Sequence, residues 1–211
     1  MPSQPKIPAR LSKIDTLTRG DHPYLSEDDD CYYLWEWNGA PYAESATTNF
    51  IGNLQRETRF KGQNPWWYKE QAMIHAAFAL RATLPAEWRA GSTFIPVPPS
   101  KIKSDPRYDS RLLDILNMVV PALSDLRDLV TQKINLESRQ KQIAPLERLR
   151  NWEIDPALLV PRPSHIVVFD DILSGGSHFS AMKTGLARHL RGVPVSGVFL
   201  ARRVLTDPLA A

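Results

Sequence analysis

Two adjacent carboxylates followed closely by hydroxyls and glycines make Asp170-Asp171-Ile172-Leu173-Ser174-Gly175-Gly176-Ser177-His178 the stretch best equipped for chemistry. Gly175 and Gly176 permit a tight turn in which peptide N–H groups converge, the geometry that holds a phosphate. Ser174, Ser177 and His178 add side-chain donors for phosphate oxygens. Asp170 and Asp171 cannot bind a phosphate directly, because like charges repel. They can accept hydrogen bonds from sugar hydroxyls one step beyond the turn.

Such a turn needs a buried strand before it and a helix after it. His165-Ile166-Val167-Val168-Phe169 is a continuous apolar run, as in a parallel strand covered on both faces. Residues 180–190 read as the following helix, whose N-terminus adds unpaired N–H donors and a favourable dipole. Upstream, Cys31–Trp37 reads as an aromatic strand closed by an Asn38-Gly39 hairpin or turn. Helices are predicted over Ser45–Arg59 and from Pro65 to about Leu84, the second with a small-residue face of Ala72, Ala76, Ala77 and Leu80. Gly91–Val97 reads as a short strand stopped by Pro98-Pro99, and Arg111–Leu123 as an amphipathic helix. Short strands are expected over Asp128–Ile134 and Val195–Ala201, and the polar stretch 135–150 should be mobile. This alternation predicts an α/β domain with a mostly parallel central sheet flanked by helices. Pro2, Pro5, Pro8, Gly20, Pro23 and the acidic run 27–30 predict a poorly ordered segment over 1–30, leaving 31–211 as the folded domain. Trp66-Trp67-Tyr68 reads as core and hydrophobic staple, and His75 as a packed helix residue.

Ile166–His178 resembles the phosphoribosyl pyrophosphate (PRPP) motif of type I phosphoribosyltransferases: four apolar residues, an acidic pair, two apolar residues, then Thr-Thr-Gly-x-Thr. Asp170 and Asp171 match the acidic pair, and Ser174 and Gly176 match the first hydroxyl and the glycine. Gly175 replaces a usual Thr or Ser, and His178 the final Thr. Phe94–Lys101 is similar to the pyrophosphate loop of that superfamily, especially in its ComF-type branch. Lys103 and Arg107-Tyr108-Asp109-Ser110-Arg111 stand where that branch has a basic stretch. Gln142, Leu146, Arg148 or Arg150, and Asn151 echo a segment that precedes the branch's PRPP strand. The cysteine-rich zinc element of many ComF-type proteins is replaced by the aromatic strand. The resemblance spans roughly residues 45–204 and is strongest over 166–178.

What the resemblance implies is a type I phosphoribosyltransferase-like fold with a small N-terminal hood, here about residues 31–70. The implied reaction passes phosphoribosyl from PRPP to a nitrogen acceptor and releases pyrophosphate. On this reading Asp170 and Asp171 hold the ribose, and Ser174, Gly175, Gly176, Ser177 and His178 hold the 5-phosphate. Ser100, Lys101 and Arg107 face the pyrophosphate, and residues 135–150 close as a lid. Magnesium (Mg2+) would bridge pyrophosphate and ribose oxygens rather than be held by the protein. Two other readings stay open: a non-catalytic regulator that binds PRPP or a nucleotide, and a ComF-like nucleic-acid module.

Composition sets outer bounds. The 211 residues carry 43% hydrophobic and 23% charged residues, ordinary for a globular protein. A net charge of +3 suits an anionic ligand without demanding nucleic acid. The single cysteine, Cys31, supports neither a disulfide framework nor a cysteine-based zinc site, and a reducing cytoplasm is the expected compartment. The histidines are not at zinc-ligand spacing with any cysteine, no apolar run reaches membrane-helix length, and a homodimer is a possible assembly.

The glycine-rich turn yields one expectation that needs no assay. In crystals grown with phosphate or sulfate, an anion should sit against the backbone of residues 174–178; density for the anion at other places only, with these amides turned away, would contradict it.

Overall fold

The computed structural model describes residues 4–39, 45–120, 122–137 and 143–205. In chain order the strands are β1 Ser12–Lys13, β2 Asp30–Trp37, β3 Thr93–Pro96, β4 Asp125–Leu126, β5 Val130–Gln132, β6 Trp152–Ile154, β7 Ile166–Leu173 and β8 Val195–Arg203. The helices are α1 Ala46–Leu54, α2 Asn64–Thr83, α3 Ala86–Gly91, α4 Arg111–Val119, α5 Pro145–Arg150 and α6 Ser177–Ala187. Six strands form one sheet in the order β1-β2-β8-β7-β3-β4, in which only the edge pair β1/β2 is antiparallel. β5 and β6 form a separate antiparallel pair. The chain is therefore α/β, with a mostly parallel sheet flanked by helices.

β7 lies at the centre because its apolar run can be covered on both faces: Ile166, Val167 and Val168 are fully buried and Phe169 nearly so. β3 pairs with one edge of β7 and β8 with the other. The amphipathic α4 buries Leu112, Ile115, Leu116 and Val119, and the small face of α2 buries Ala72, Ala76, Ala77 and Ala79. α2 packs between α1 and α4, while α5 packs on α6.

Four expectations need correction. First, residues 4–30 are not loose. β1 pairs with β2, Ile14 and Leu25 enter the core, and His22 is fully buried. The prolines are accommodated because the extended chain's carbonyls find side-chain donors. Trp35 Nε1 donates to Lys6 O (2.9 Å), and His75 Nε2 bonds Pro5 O (2.9 Å). Second, Cys31–Trp37 is not part of a hood. β2 is inside the main sheet, parallel to β8, and no described strand folds back across Asn38-Gly39. Third, Trp67 and Tyr68 are exposed rather than core: Trp67 shares an outer stripe of α2 with the exposed Ile74 and Phe78, and Tyr68 sits in the first turns of the helix, where its ring meets the Arg56 guanidinium at 5.8 Å. Fourth, the second half of 135–150 is anchored: α5 buries Arg148 and Leu149. Arg139, Lys141 and Gln142 lie outside the described residues.

One glycine in β8 is set by close approach. A Cβ on Gly197 would stand 2.8 Å from the Phe199 ring, 2.9 Å from the Phe179 ring and 3.0 Å from Cys31 Sγ. Gly197→Val should overpack this contact and cost about 2 kcal/mol, read as a lower denaturant midpoint at unchanged slope.

Candidate functional site

Parallel strands end on one edge of a sheet, and ligands in open α/β folds bind there. Here Trp37, Arg203, Leu173 and Pro96, the last residues of β2, β8, β7 and β3, all line one cavity of about 660 Å3. The turn after β7 lies on its wall, together with Asp170, Asp171, His178 and Ser100.

The turn is built as its glycines require. Gly176 adopts φ +86°, the left-handed region that a side chain would strain, and serves as the N-cap of α6. Among the described residues, no group accepts a hydrogen bond from the backbone N–H of Ser174, Gly175, Gly176, Ser177 or His178. Five donors in the turn and at the start of α6 thus have no partner among the described residues, where the dipole also favours an anion.

The carboxylates below the turn have divided roles. Asp170 is buried; its Oδ1 accepts the Asp171 N–H (2.9 Å), and its Oδ2 pairs with His178 Nδ1 (2.6 Å). Burial pushes Asp170 above the ordinary carboxylate range, with the His178 imidazole opposing. Asp171 is equally buried, and burial alone would raise it too. The charge of Arg111, with hydrogen bonds from Gln55 and Arg111, instead holds it well below that range. All three contacts fall on Oδ2: Arg111 Nη2 at 2.6 Å, Arg111 Nε at 3.1 Å and Gln55 Nε2 at 2.9 Å. Asp171 Oδ1 accepts nothing from a described residue, so it is the oxygen a ribose hydroxyl could reach.

Behind Asp171 runs a row of alternating charge. Arg111 Nη1 meets Asp109 Oδ2 at 2.7 Å, and Lys69 Nζ meets the same oxygen at 2.6 Å. Lys69 is 1% exposed and also donates to Arg56 O at 2.8 Å. Burial lowers the Lys69 pKa, and Asp109 opposes that shift. Arg148, nearly fully buried in α5, adds a guanidinium to the cavity wall together with Trp152, Gln132 and Tyr108.

Two expected pyrophosphate contacts are not on the cavity. Lys101 is buried and bonds Leu136 O (2.9 Å) and Glu137 Oε1 (2.6 Å). Arg107 is exposed and pairs with Asp105 (3.0 Å) and Glu137 (3.3 Å). Local carboxylates draw both cations away, and Ser100 alone of that trio lines the cavity. The cations that do line it are Arg111, Arg148 and Arg203. Arg111 closes the Arg107–Arg111 stretch, and its two-residue spacing from Asp109 is the available signal. Gln55, Lys69 and Trp37 carried none, because only the fold brings them near β7.

No protein-family model and no curated protein matches the chain.

Because its folded pKa is depressed, Asp171 contributes stability that is complete above the ordinary carboxylate pKa and lost as pH falls through the folded value. Asp171→Asn leaves Arg111 with one carboxylate instead of two. It should cost about 3 kcal/mol at neutral pH, and the gap from wild type should narrow in acid, as read by denaturant melts across pH.

Proposed function

We propose that this chain binds a ribose 5-phosphate ligand, PRPP above all, and transfers phosphoribosyl to a nitrogen acceptor with release of pyrophosphate. The observation that carries the reading is the conjunction of five unpartnered amides with Asp170 and Asp171 in one cavity. The amides of residues 174–178 take the 5-phosphate. Asp171 Oδ1 orients a ribose hydroxyl, and the two carboxylates face the positive charge that grows on the ribose as its anomeric bond to pyrophosphate breaks. Ser100 and Arg111 line the same cavity, and on this reading they would face the leaving pyrophosphate, Arg111 while paired with Asp171 and Asp109. Trp152 and Ile143 add apolar surface to the wall. The type I phosphoribosyltransferase-like fold belongs to this proposal, as does an acceptor whose identity the wall residues leave open.

Magnesium is the implied co-ligand. Among the described residues no three histidines, cysteines or carboxylates are grouped to hold a metal, and Asp171 Oδ2 is already engaged by Arg111. On this reading the ion would be carried on the ligand's own oxygens, where it would neutralise pyrophosphate charge.

One observation favours a second reading, a regulator that binds without turnover. Lys101 and Arg107 are committed to Glu137 and Asp105, which leaves the pyrophosphate side less cationic than the transfer reaction wants.

Calorimetry and amide shifts should detect ribose 5-phosphate at residues 174–178, and incubation with PRPP, magnesium and purine or pyrimidine bases should release pyrophosphate. Binding without release would favour the regulator, and the absence of both would end the ribose-phosphate reading.

A further inference from the structure

The N-terminal segment lies against the back of the turn that the proposed function uses. His22 Nδ1 bonds Ser174 O, and Tyr24 N donates to Gly175 O at 2.9 Å. Leu25 N closes its own tight turn onto His22 O at 2.9 Å. The Leu25 side chain fills the space beside Gly176, where an added Cβ would stand 2.9 Å from Leu25 Cδ2. Two successive loop carbonyls are therefore held by residues 22–25.

That has a geometric consequence. In a trans peptide the C=O and N–H point in opposite directions. The Ser174 carbonyl shares its peptide with the Gly175 N–H, and the Gly175 carbonyl with the Gly176 N–H. Holding both carbonyls on one side turns both amides to the other. Glycines offer no side-chain bulk to fix these peptides, so the fixing has to come from outside the loop.

We propose that the His22–Leu25 turn is a clasp that aims the anion-binding amides, and that His22 is a positioning residue for the ligand's phosphate. The inference rests on the ribose-phosphate reading above.

The chemistry of His22 fits the role. A carbonyl oxygen can only accept, so Nδ1 carries the proton. The other nitrogen, Nε2, is buried without a hydrogen-bond partner. A charged ring would place an unsatisfied donor there. Burial lowers the His22 pKa; the bond to the Ser174 carbonyl and the Asp21 charge oppose that shift, and Arg202 adds to it. The ring stays a neutral, single-direction donor. Asparagine can present an N–H at nearly the position of Nδ1, and leucine fills similar space with no donor.

The test compares full-length wild type, His22→Asn and His22→Leu, with ribose 5-phosphate as probe in calorimetry and hydrogen exchange read at Tyr24, Gly175 and Gly176. His22→Leu should bind about tenfold more weakly, and its Tyr24 amide should exchange faster. His22→Asn should stay within about threefold of wild type. Equal binding by all three proteins overturns the clasp, as does equal weakening of both variants at unchanged melting temperature. If wild type binds no ribose 5-phosphate while its Tyr24 amide is protected, the ribose-phosphate reading itself fails and the positioning role with it. Should His22→Leu not fold, His22→Asn decides alone: retained affinity and retained Tyr24 protection support the clasp, and loss of either overturns it.

Discussion

Asp171 lies near the end of the central strand β7, buried where an isolated carboxylate would be too costly to keep ionised. Arg111 makes it tolerable, Arg111 is paired in turn with Asp109, and Asp109 also with Lys69. The row runs from near the end of β7 through the start of α4 to the buried face of α2, with charges of alternating sign. Its removal would leave α2, α4 and the sheet edge with uncompensated charge where they meet. The same row leaves Asp171 ionised with an Oδ1 that accepts nothing from a described residue, the state in which it would meet the proposed sugar hydroxyl. Packing and site chemistry are thus served by one set of contacts.

The two ends of the sheet are built differently. At the carboxyl end charges alternate and a cavity opens. At the amino end a chain of hydrogen bonds that finishes on the Asp30 carboxylate ties the strand starts together. Ser92 Oγ meets His165 Nδ1 at 2.8 Å, His165 Nε2 meets Ser196 Oγ at 3.0 Å, and Ser196 Oγ donates to Asp30 Oδ2 at 3.1 Å. These links span β3, β7, β8 and β2 in spatial order. They satisfy polar groups that would otherwise be buried alone, and they brace the strands whose opposite ends form the cavity.

The positions of Lys101, Arg107 and Arg111 show how charge is assigned in a fold. All three are cations near the end of β3, and by type alone any could face an anion. Glu137 and Asp105 claim the first two, while Arg111 is turned inward because α4 begins with it. The nearest opposite charge decides where a long side chain goes, and that charge can come from more than thirty residues away, as Glu137 does for Lys101.

Much of this architecture is written in local pattern. The apolar run before Asp170, the helical spacing of Leu112, Ile115, Leu116 and Val119, and the alanine face of α2 each respond to a period or a run, and the fold class follows from them. The Asp170–His178 stretch was legible for the same reason, since its donors and carboxylates are neighbours in sequence. What lies far apart in sequence was not legible. Residues 4–30 look unstructured because prolines and polar residues make no period, yet His22 and Leu25 pack against a turn some 150 residues away, with side-chain donors supplying the bonds that a periodic backbone would have made. Cys31–Trp37 reads as a strand, but whether it joins the main sheet depends on β8, whose edge it completes. Sequence by itself determined the elements and the turn, because these depend on residues within a few positions of one another. The tertiary structure decided which charges pair, which side chains reach the cavity and what braces the turn, because those choices depend on distances that no local spacing encodes.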